Sequence, residues 1–243
     1  MKQAHARNAW VLLCIVGFIA FYATRGSPWL SQLIWAGLGL SSAAIVTVVA
    51  GRRRVFARSA WLLMAAAMTL TVLINGIRAA TSISPRTASN TSVAYGISLT
   101  IVFSLLTVAA YLLVNRHRRT AADSSGIVDA AIVFVAASMV ATDFLVFPFW
   151  SDPALNTAER MGLLLFDALN VLLLSLTVRL WFSTERSVNR ASRVLAVGFI
   201  AMIFAGGLGL AEFLPVQVID PELGRNLIFG FSMIFFAVST LAA

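Results

Sequence analysis

The sequence predicts an all-α protein, a polytopic transmembrane helical bundle. Of the 243 residues, 60% are hydrophobic and only 12% are charged, and the mean hydropathy is +0.90. A soluble domain has about 45–50% apolar and about 25% charged residues, so this composition excludes a soluble globular enzyme and a disordered chain. At about 20 residues per span, the chain holds about eight spans and almost nothing else.

Eight apolar runs are separated by short segments rich in charge or proline. Their approximate ranges are 9–24, 28–50, 59–77, 92–114, 127–150, 158–182, 193–211 and 226–243. The first run begins like a signal peptide, but the bulky Phe18 and Phe21 precede Ala20 and Ala23 and spoil a cleavage site. We therefore interpret it as an uncleaved signal anchor. No internal repeat is recognisable in the sequence, which leaves an inverted-repeat transporter without support.

The positive charges are unevenly distributed over the predicted loops. Thirteen of the 18 Lys and Arg residues lie on the side that includes both termini, and five lie on the other side. Because basic loops stay in the cytoplasm, we expect both termini to be cytoplasmic and the protein to lie in the inner (plasma) membrane. All six prolines lie in or close to the outer loops, in agreement with this orientation. The net charge of +8 thus indicates topology, and we expect no nucleic-acid partner.

Missing residue types exclude several functions. Lys2 is the only lysine, so a retinal Schiff base deep in a late helix is impossible. His5 and His117 lie in predicted cytoplasmic segments, which leaves no histidine for a membrane haem and no Cys/His cluster for zinc. The glycine-rich run 206–209 lies inside a span and is interpreted as a close helix-packing surface. We expect no enzyme activity, no cofactor and no metal.

Polar residues within the predicted spans are the candidate functional residues, because such groups are costly in a membrane. Asp143 and Asp167 lie on the fifth and sixth spans, each about 10–12 Å below the outer end of its helix. The sequence therefore predicts two carboxylates at the same height, which could share a proton or bind a ligand or ion. Asn170 is one turn further along the face that carries Asp167.

Two further pairs are candidates. Asp129 and Arg179 lie at matching distances from the outer ends of their helices and are predicted to form an inner ion pair. Asn75 and Arg78, near the outer end of the third span, are predicted interface residues that could also line an outward-facing pocket. A purely structural interpretation stays open, in which the ion pair fixes the register of the hairpin and the aspartates hydrogen-bond to neighbouring helices.

Five stretches share the layout of a known kind of membrane region. They are a basic, Trp-containing span (Arg58–Arg78), a span with an Arg-rich loop and a helix start (Ser92–Ala131), a helix end at a proline (Phe144–Pro148), an Asp-led span (Phe166–Phe182) and the C-terminal Ser239–Ala243. In this layout the chain resembles the N-terminal membrane region of actinobacterial GGDEF/EAL proteins, the cyclic di-GMP synthases and phosphodiesterases. Neither a GGDEF nor an EAL motif occurs, and the Tyr-Pro that often precedes the aspartate is absent. The resemblance implies a sensor or anchor module without the family's enzyme activity.

We therefore expect a membrane sensory or anchoring module that passes a signal to a cytoplasmic output region after residue 243, where the chain ends close to its last span. The cyclic di-GMP output is implied by the resemblance alone. A small-solute or ion transporter and a structural subunit of a membrane complex are the alternatives. The expected partners are the lipid bilayer, an unknown small ligand and a second membrane chain, either a homodimer or another protein.

Overall fold

The computed structural model is all-helical in the part of the chain that it describes. That part comprises residues 2–24, 26–51, 55–81, 89–116, 124–147, 150, 156–182, 189–211 and 220–243. Its eight long α-helices are α1 (Lys2–Ala23), α2 (Pro28–Gly51), α3 (Val55–Thr81), α4 (Ser89–Arg116), α5 (Ser124–Ala141), α6 (Thr157–Trp181), α7 (Asn189–Ala211) and α8 (Pro221–Ala242). A π-helical turn, Thr142–Val146, continues α5. The predicted all-α class is confirmed.

Six of the described helices are long and apolar enough to cross a membrane. These segments are Trp29–Gly51, Arg58–Ile77, Gly96–Asn115, Thr157–Trp181, Ala191–Gly209 and Glu222–Ala242. The apolar segments of the other two helices are shorter, Asn8–Ala23 in α1 and Ala130–Ala141 in α5. Six of the eight predicted spans therefore meet the criterion of length and composition.

Two helices of the bundle begin at side chains that cap them. Asn156 accepts a hydrogen bond of 2.9 Å from the N–H of Glu159, whose carboxylate accepts one of 2.9 Å from the N–H of Asn156. Asp220 accepts bonds of 3.0 Å from the N–H groups of Glu222 and Leu223. These bonds satisfy amide groups that have no carbonyl partner in the first turn of a helix. Local sequence thus fixes the N-terminal ends of α6 and α8.

Six helices form a closed ring, in the packing order α2, α3, α4, α6, α7, α8 and back to α2. The ring helices are those that are long enough to span a membrane. Helix α1 packs outside the ring against α2 and α8, and α5 packs outside it against α6. Side chains on the outer faces of these two helices, such as Ile19 and Met139, are 63% and 67% exposed. Helix α6 therefore has neighbours on three sides.

The packing order repeats after four helices. In each half, one outer helix is followed by three ring helices, α1 by α2–α4 and α5 by α6–α8. The last ring helix of each half packs against the first ring helix of the other, α4 against α6 and α8 against α2. The helices outside the ring differ, since α1 packs against ring helices of both halves and α5 packs mainly against α6. This repeat lies in the packing and was not recognisable in the sequence.

The junction between α8 and α2 is filled by aromatic rings. The ring centroid of Trp35 lies 5.0 Å from that of Phe229 and 5.8 Å from that of Phe236. Gly39 allows α2 to approach, because a Cβ atom there would collide with the side chains of Val72 and Phe236. The two halves are thus held together at this junction by close packing of apolar and aromatic groups.

Candidate functional site

The second junction between the halves, α4 against α6, combines aromatic rings with buried polar groups. Phe103 and Phe166 meet edge to face with ring centroids 4.7 Å apart. Helices α4 and α6 run in the same direction because a single helix separates them in the chain. One turn beyond the two rings, Thr107 and Asn170 therefore lie at the same height. They are only 6% and 7% exposed, and Asp167 is 8% exposed.

The side-chain oxygen of Asn170 points into the place where α4, α6 and α7 meet. Its Nδ2 donates a hydrogen bond of 3.3 Å to the carbonyl of Phe166, so the nitrogen faces its own helix. Its Oδ1 is buried and accepts no hydrogen bond. A Cβ atom on Gly206 of α7 would lie 3.0 Å from this oxygen and 2.6 Å from Cζ of Phe103. The oxygen is therefore in contact distance of two other helices.

Gly206 belongs to the glycine run that the sequence marks as a packing surface. Its Cα hydrogens face Phe103 and Asn170, and no larger residue fits without displacing them. Gly207 and Gly209 have no neighbour within 4 Å of a Cβ position. Of the three glycines in this run, Gly206 is therefore the one that lies at a close contact between helices.

The hydroxyl of Thr107 is also buried without a hydrogen-bond partner. The other buried threonines of the described helices behave differently. Thr71, Thr177 and Thr240 each donate to the carbonyl four residues earlier, over 2.6 to 2.9 Å. Such back-bonding is the usual way to satisfy a hydroxyl within a helix. Thr107 could not be predicted from the sequence as a site residue, because a threonine in an apolar span usually forms only this hydrogen bond to its own helix.

The carboxylate of Asp167 completes the group of polar side chains. It forms no hydrogen bond and no ion pair with any residue that the structure describes. The cationic residues of its own helix are distant, because Arg160 and Arg179 lie about 10 and 18 Å away along the helix axis. The side chains of Asp167, Asn170 and Thr107 form the candidate site, and we refer to them as the junction site.

Asp143 lies in different surroundings from Asp167. It belongs to the π-helical turn, and its side chain is exposed on the outside of the bundle. The hydroxyl of Ser175 donates a bond of 2.8 Å to the carbonyl of Ala130 and so fixes the register of α5 and α6. Counted from this bond, Asp167 lies about 12 Å and Asp143 about 20 Å towards the outer side. The two carboxylates therefore differ in height, and a shared proton stays a prediction that no contact between them supports.

The predicted inner ion pair lies next to the bond between Ser175 and Ala130. Helix α5 carries Asp129 beside Ala130, and α6 carries the half-buried Arg179 one turn beyond Ser175. The side chain of Asp129 lies outside the described part of the chain, so the ion pair itself stays a prediction. The hydrogen bond from Ser175 to Ala130 nevertheless shows that the C-terminal part of α6 is adjacent to the N-terminal part of α5.

The predicted outer pocket is described only at Asn75. This half-buried side chain donates a bond of 2.9 Å to the carbonyl of Thr71, one turn earlier in α3. The side chain of Arg78 lies outside the described part of the chain. A role of these two residues as a pocket or an interface stays a prediction.

A groove of about 300 Å³ lies away from the junction site, between α1, α2 and α8. Its lining includes Phe18, Leu38, Met233 and Phe236, with Cys14 and Ser42 as the two residues that carry a thiol or hydroxyl. Such a lining suits hydrocarbon and offers little to a polar ligand. The groove therefore does not compete with the junction site as a place for polar chemistry.

Comparison with models of protein families, with curated proteins and with solved structures finds no match to this chain. The similarity to the membrane region of GGDEF/EAL proteins thus rests on sequence layout alone.

Proposed function

We propose that the protein is a membrane-embedded sensory module that binds a small ligand or ion at the junction site and passes the signal to a cytoplasmic output. The supporting observation is the burial of Asp167, Asn170 and Thr107, of which Oδ1 of Asn170 and the hydroxyl of Thr107 have no hydrogen-bond partner. A buried polar group without a partner destabilises a protein by about 1–3 kcal/mol. Polar groups that are retained in a membrane bundle despite this loss of stability mark a functional site.

The comparison of the two junctions argues against a purely structural role. The α8–α2 junction occupies the equivalent position in the repeat and is packed by Trp35, Phe229 and Phe236. Nε1 of Trp35 is also buried without a hydrogen-bond partner, but this junction is joined by aromatic packing and has no buried amide or carboxylate side chain among the described residues at these rings. The polar groups of the α4–α6 junction serve another purpose, and binding is the chemistry that they support.

We propose that α6 transmits the signal from the junction site to the cytoplasm. This helix carries Asp167 and Asn170 and is bonded to α5 near its inner end by Ser175. A ligand that draws Asn170 towards α4 displaces α6, and the bond from Ser175 carries that displacement to α5. In the sequence, α4 and α6 are each followed by a basic segment. These two segments are the expected contact surface for a cytoplasmic output.

We place the protein in the inner (plasma) membrane with all eight helices crossing it and both termini in the cytoplasm. The distribution of Lys and Arg, thirteen against five, supports this orientation. The two helices outside the ring cross as well in this proposal. If α5 did not cross, the basic segments 52–58 and 186–193 would lie on opposite sides, and if α1 did not cross, the basic N-terminus would lie opposite 52–58. A phosphatase or fluorescent reporter fused after Ala243 tests it. Periplasmic activity of the phosphatase would exclude the orientation and the signalling proposal together.

To test the sensory role, a transcriptional reporter is fused to the C-terminus of the protein. The output of this reporter depends on the arrangement of the last helix. We expect Asp167→Asn to change the reporter output at an unchanged protein level. Asp143→Asn is the matched control, because it makes the same chemical change at an exposed position. Equal effects of the two variants would favour the paired carboxylates that the sequence predicts. No effect of Asp167→Asn would contradict the sensory role.

Transport of a small solute or ion is the second candidate, and the packing repeat favours it. Secondary transporters are frequently built from two related halves with the binding site between them. The junction site lies between the halves of this bundle. Flux into proteoliposomes that is lost in Asp167→Asn would favour transport over sensing. The cyclic di-GMP output stays a prediction from the resemblance, because no matching protein supports it.

A further inference from the structure

We infer that the junction site binds a small monovalent cation, coordinated by the carboxylate of Asp167, Oδ1 of Asn170 and Oγ1 of Thr107. The inference deepens the proposed function by naming its ligand class, and it uses the same three side chains. It assigns a role to Thr107, which sequence reasoning did not single out.

The donor atoms are all oxygens. The amide nitrogen of Asn170 is engaged by the carbonyl of Phe166, so only its oxygen faces the junction. The hydroxyl of Thr107 is not used by its own helix, unlike those of the other buried threonines. A carboxylate, an amide oxygen and a hydroxyl oxygen are the ligands that hard cations prefer. A ligand that presented hydrogen-bond acceptors to the site would leave the amide oxygen of Asn170 without a partner.

The charge of the site selects a monovalent ion. Asp167 provides a single negative charge, and a buried charge is tolerated only when it is balanced. One positive charge gives a neutral site, whereas a divalent ion would leave an uncompensated positive charge inside the ring. Within the described residues, no three His, Cys, Asp or Glu side chains come together as multivalent metals require. Arg160 and Arg179 lie two or more turns from Asp167 and do not supply the balancing charge from its own helix.

The surroundings of the site strengthen electrostatic binding. Phe103 and Phe166 close it on the outer side, one turn from Thr107 and Asn170. Phe103 and Phe166 are 0% and 2% exposed. Buried rings at this position exclude water, and electrostatic interactions are stronger in such apolar surroundings. Gly206 lets the backbone of α7 approach Asn170 on the remaining side.

The experiment measures thermal unfolding of the purified full chain in detergent, in chloride salts of Li⁺, Na⁺, K⁺ or choline at constant ionic strength. Binding to the folded state alone raises the unfolding midpoint with cation concentration until the site is saturated. We expect one of the alkali ions to give this saturable rise over choline. Thr107→Val is expected to raise the half-saturating concentration about tenfold, since it removes one ligand oxygen at constant shape.

Two variants serve as controls. Thr71→Val makes the same substitution at a buried threonine whose hydroxyl is bonded to its own helix, and it is expected to leave cation binding unchanged. Thr107→Ser retains an oxygen and is expected to retain binding, which keeps the test informative if Thr107→Val folds poorly. Asp167→Asn is expected to abolish the rise.

The outcomes separate this inference from the proposed function. Equal midpoints in all four salts would overturn the cation site, as would equal cation responses of Thr107→Val and Thr71→Val. If Asp167→Asn still alters the reporter in that case, sensing stands with another ligand. A cation-dependent rise combined with an unaltered reporter would support the site and contradict the sensory role.

Discussion

Ser175 of α6 donates a 2.8 Å hydrogen bond to the backbone carbonyl of Ala130 in α5, and this bond joins two consecutive helices through residues that are 45 positions apart. Ser175 is 8% exposed, so the bond is shielded from water. It holds the outer helix α5 on the ring and sets the height of every residue of α5 relative to α6. The separation of Asp143 from Asp167 follows from it.

We expect Ser175→Ala to lower the free energy of unfolding by about 0.6–1.7 kcal/mol, the usual range for an interhelical hydrogen bond in a membrane bundle. Ser232→Ala is the matched control. The Ser232 hydroxyl is equally buried but donates to the carbonyl of Ile228 in its own helix. Its removal should change the free energy of unfolding little. Denaturant-induced unfolding in mixed micelles, followed by the fluorescence of the six tryptophans, measures both. Equal losses would mean that Ser175 does not hold α5 in place.

Gly206→Ala should destabilise the bundle by about 1–3 kcal/mol, as overpacking does in other cores. The added methyl group would lie 2.6 Å from Phe103 Cζ and 3.0 Å from Asn170 Oδ1, so both side chains must move. Gly207→Ala has no neighbour within 4 Å and should be neutral or stabilise α7 by up to about 1 kcal/mol, since alanine is the better helix former. The two adjacent variants therefore shift the unfolding midpoint in different directions. A destabilised Gly207→Ala would count against this packing.

Gly39 at the α8–α2 junction is also expected to tolerate no larger side chain. A methyl group there meets the side chain of Val72 and, at 2.8 Å, Cε2 of Phe236. Gly39→Ala should lower the thermal midpoint and reduce the yield of folded protein, with an expected loss of about 1–3 kcal/mol. Gly37→Ala, two residues earlier with open space around it, is the control and should behave like the parent. If both variants fold equally well, the close approach of α2 is not required.

Asp220→Ala removes the N-cap of α8 and should cost about 1 kcal/mol of stability. Asp220→Asn keeps an oxygen that can accept from the N–H groups of Glu222 and Leu223, and it should retain most of that stability. Thermal unfolding in detergent compares the two variants. Because asparagine and alanine both remove the charge, an equal loss in both would assign the effect to electrostatics and not to the cap.

Thr107→Val should not destabilise the protein when alkali cations are absent. Replacing an unpartnered buried hydroxyl by an apolar group of the same shape is neutral or stabilising. In choline buffer we therefore expect the variant to unfold at the same or a higher temperature than the parent. A clear loss of stability there would indicate that the hydroxyl has a structural bond and that it is not reserved for a ligand.

Much of the secondary structure could be predicted from the sequence. The predicted runs 28–50 and 158–182 agree within a residue or two with α2 and α6, because apolar length and capping residues such as Asn156 are local signals. Asp167 and Asn170 could be singled out for a similar reason, since a polar residue in an apolar run is conspicuous. Thr107 could not be singled out, and the sequence could not tell which glycine of the predicted packing run 206–209 makes the close contact, because both depend on helices that are distant in sequence.

The sequence by itself determined that this protein is built from apolar helices and where most of these helices lie, and six of the described helices are long enough to cross a membrane. The tertiary structure decided which helices form the ring, that the two halves repeat, and that Asp167 faces inward whereas Asp143 faces outward. The physical reason is that lipid tails and the interior of a membrane bundle are equally apolar. Hydropathy along the chain therefore marks a span but does not tell which of its faces meets protein, and only the packing of the helices supplies that information.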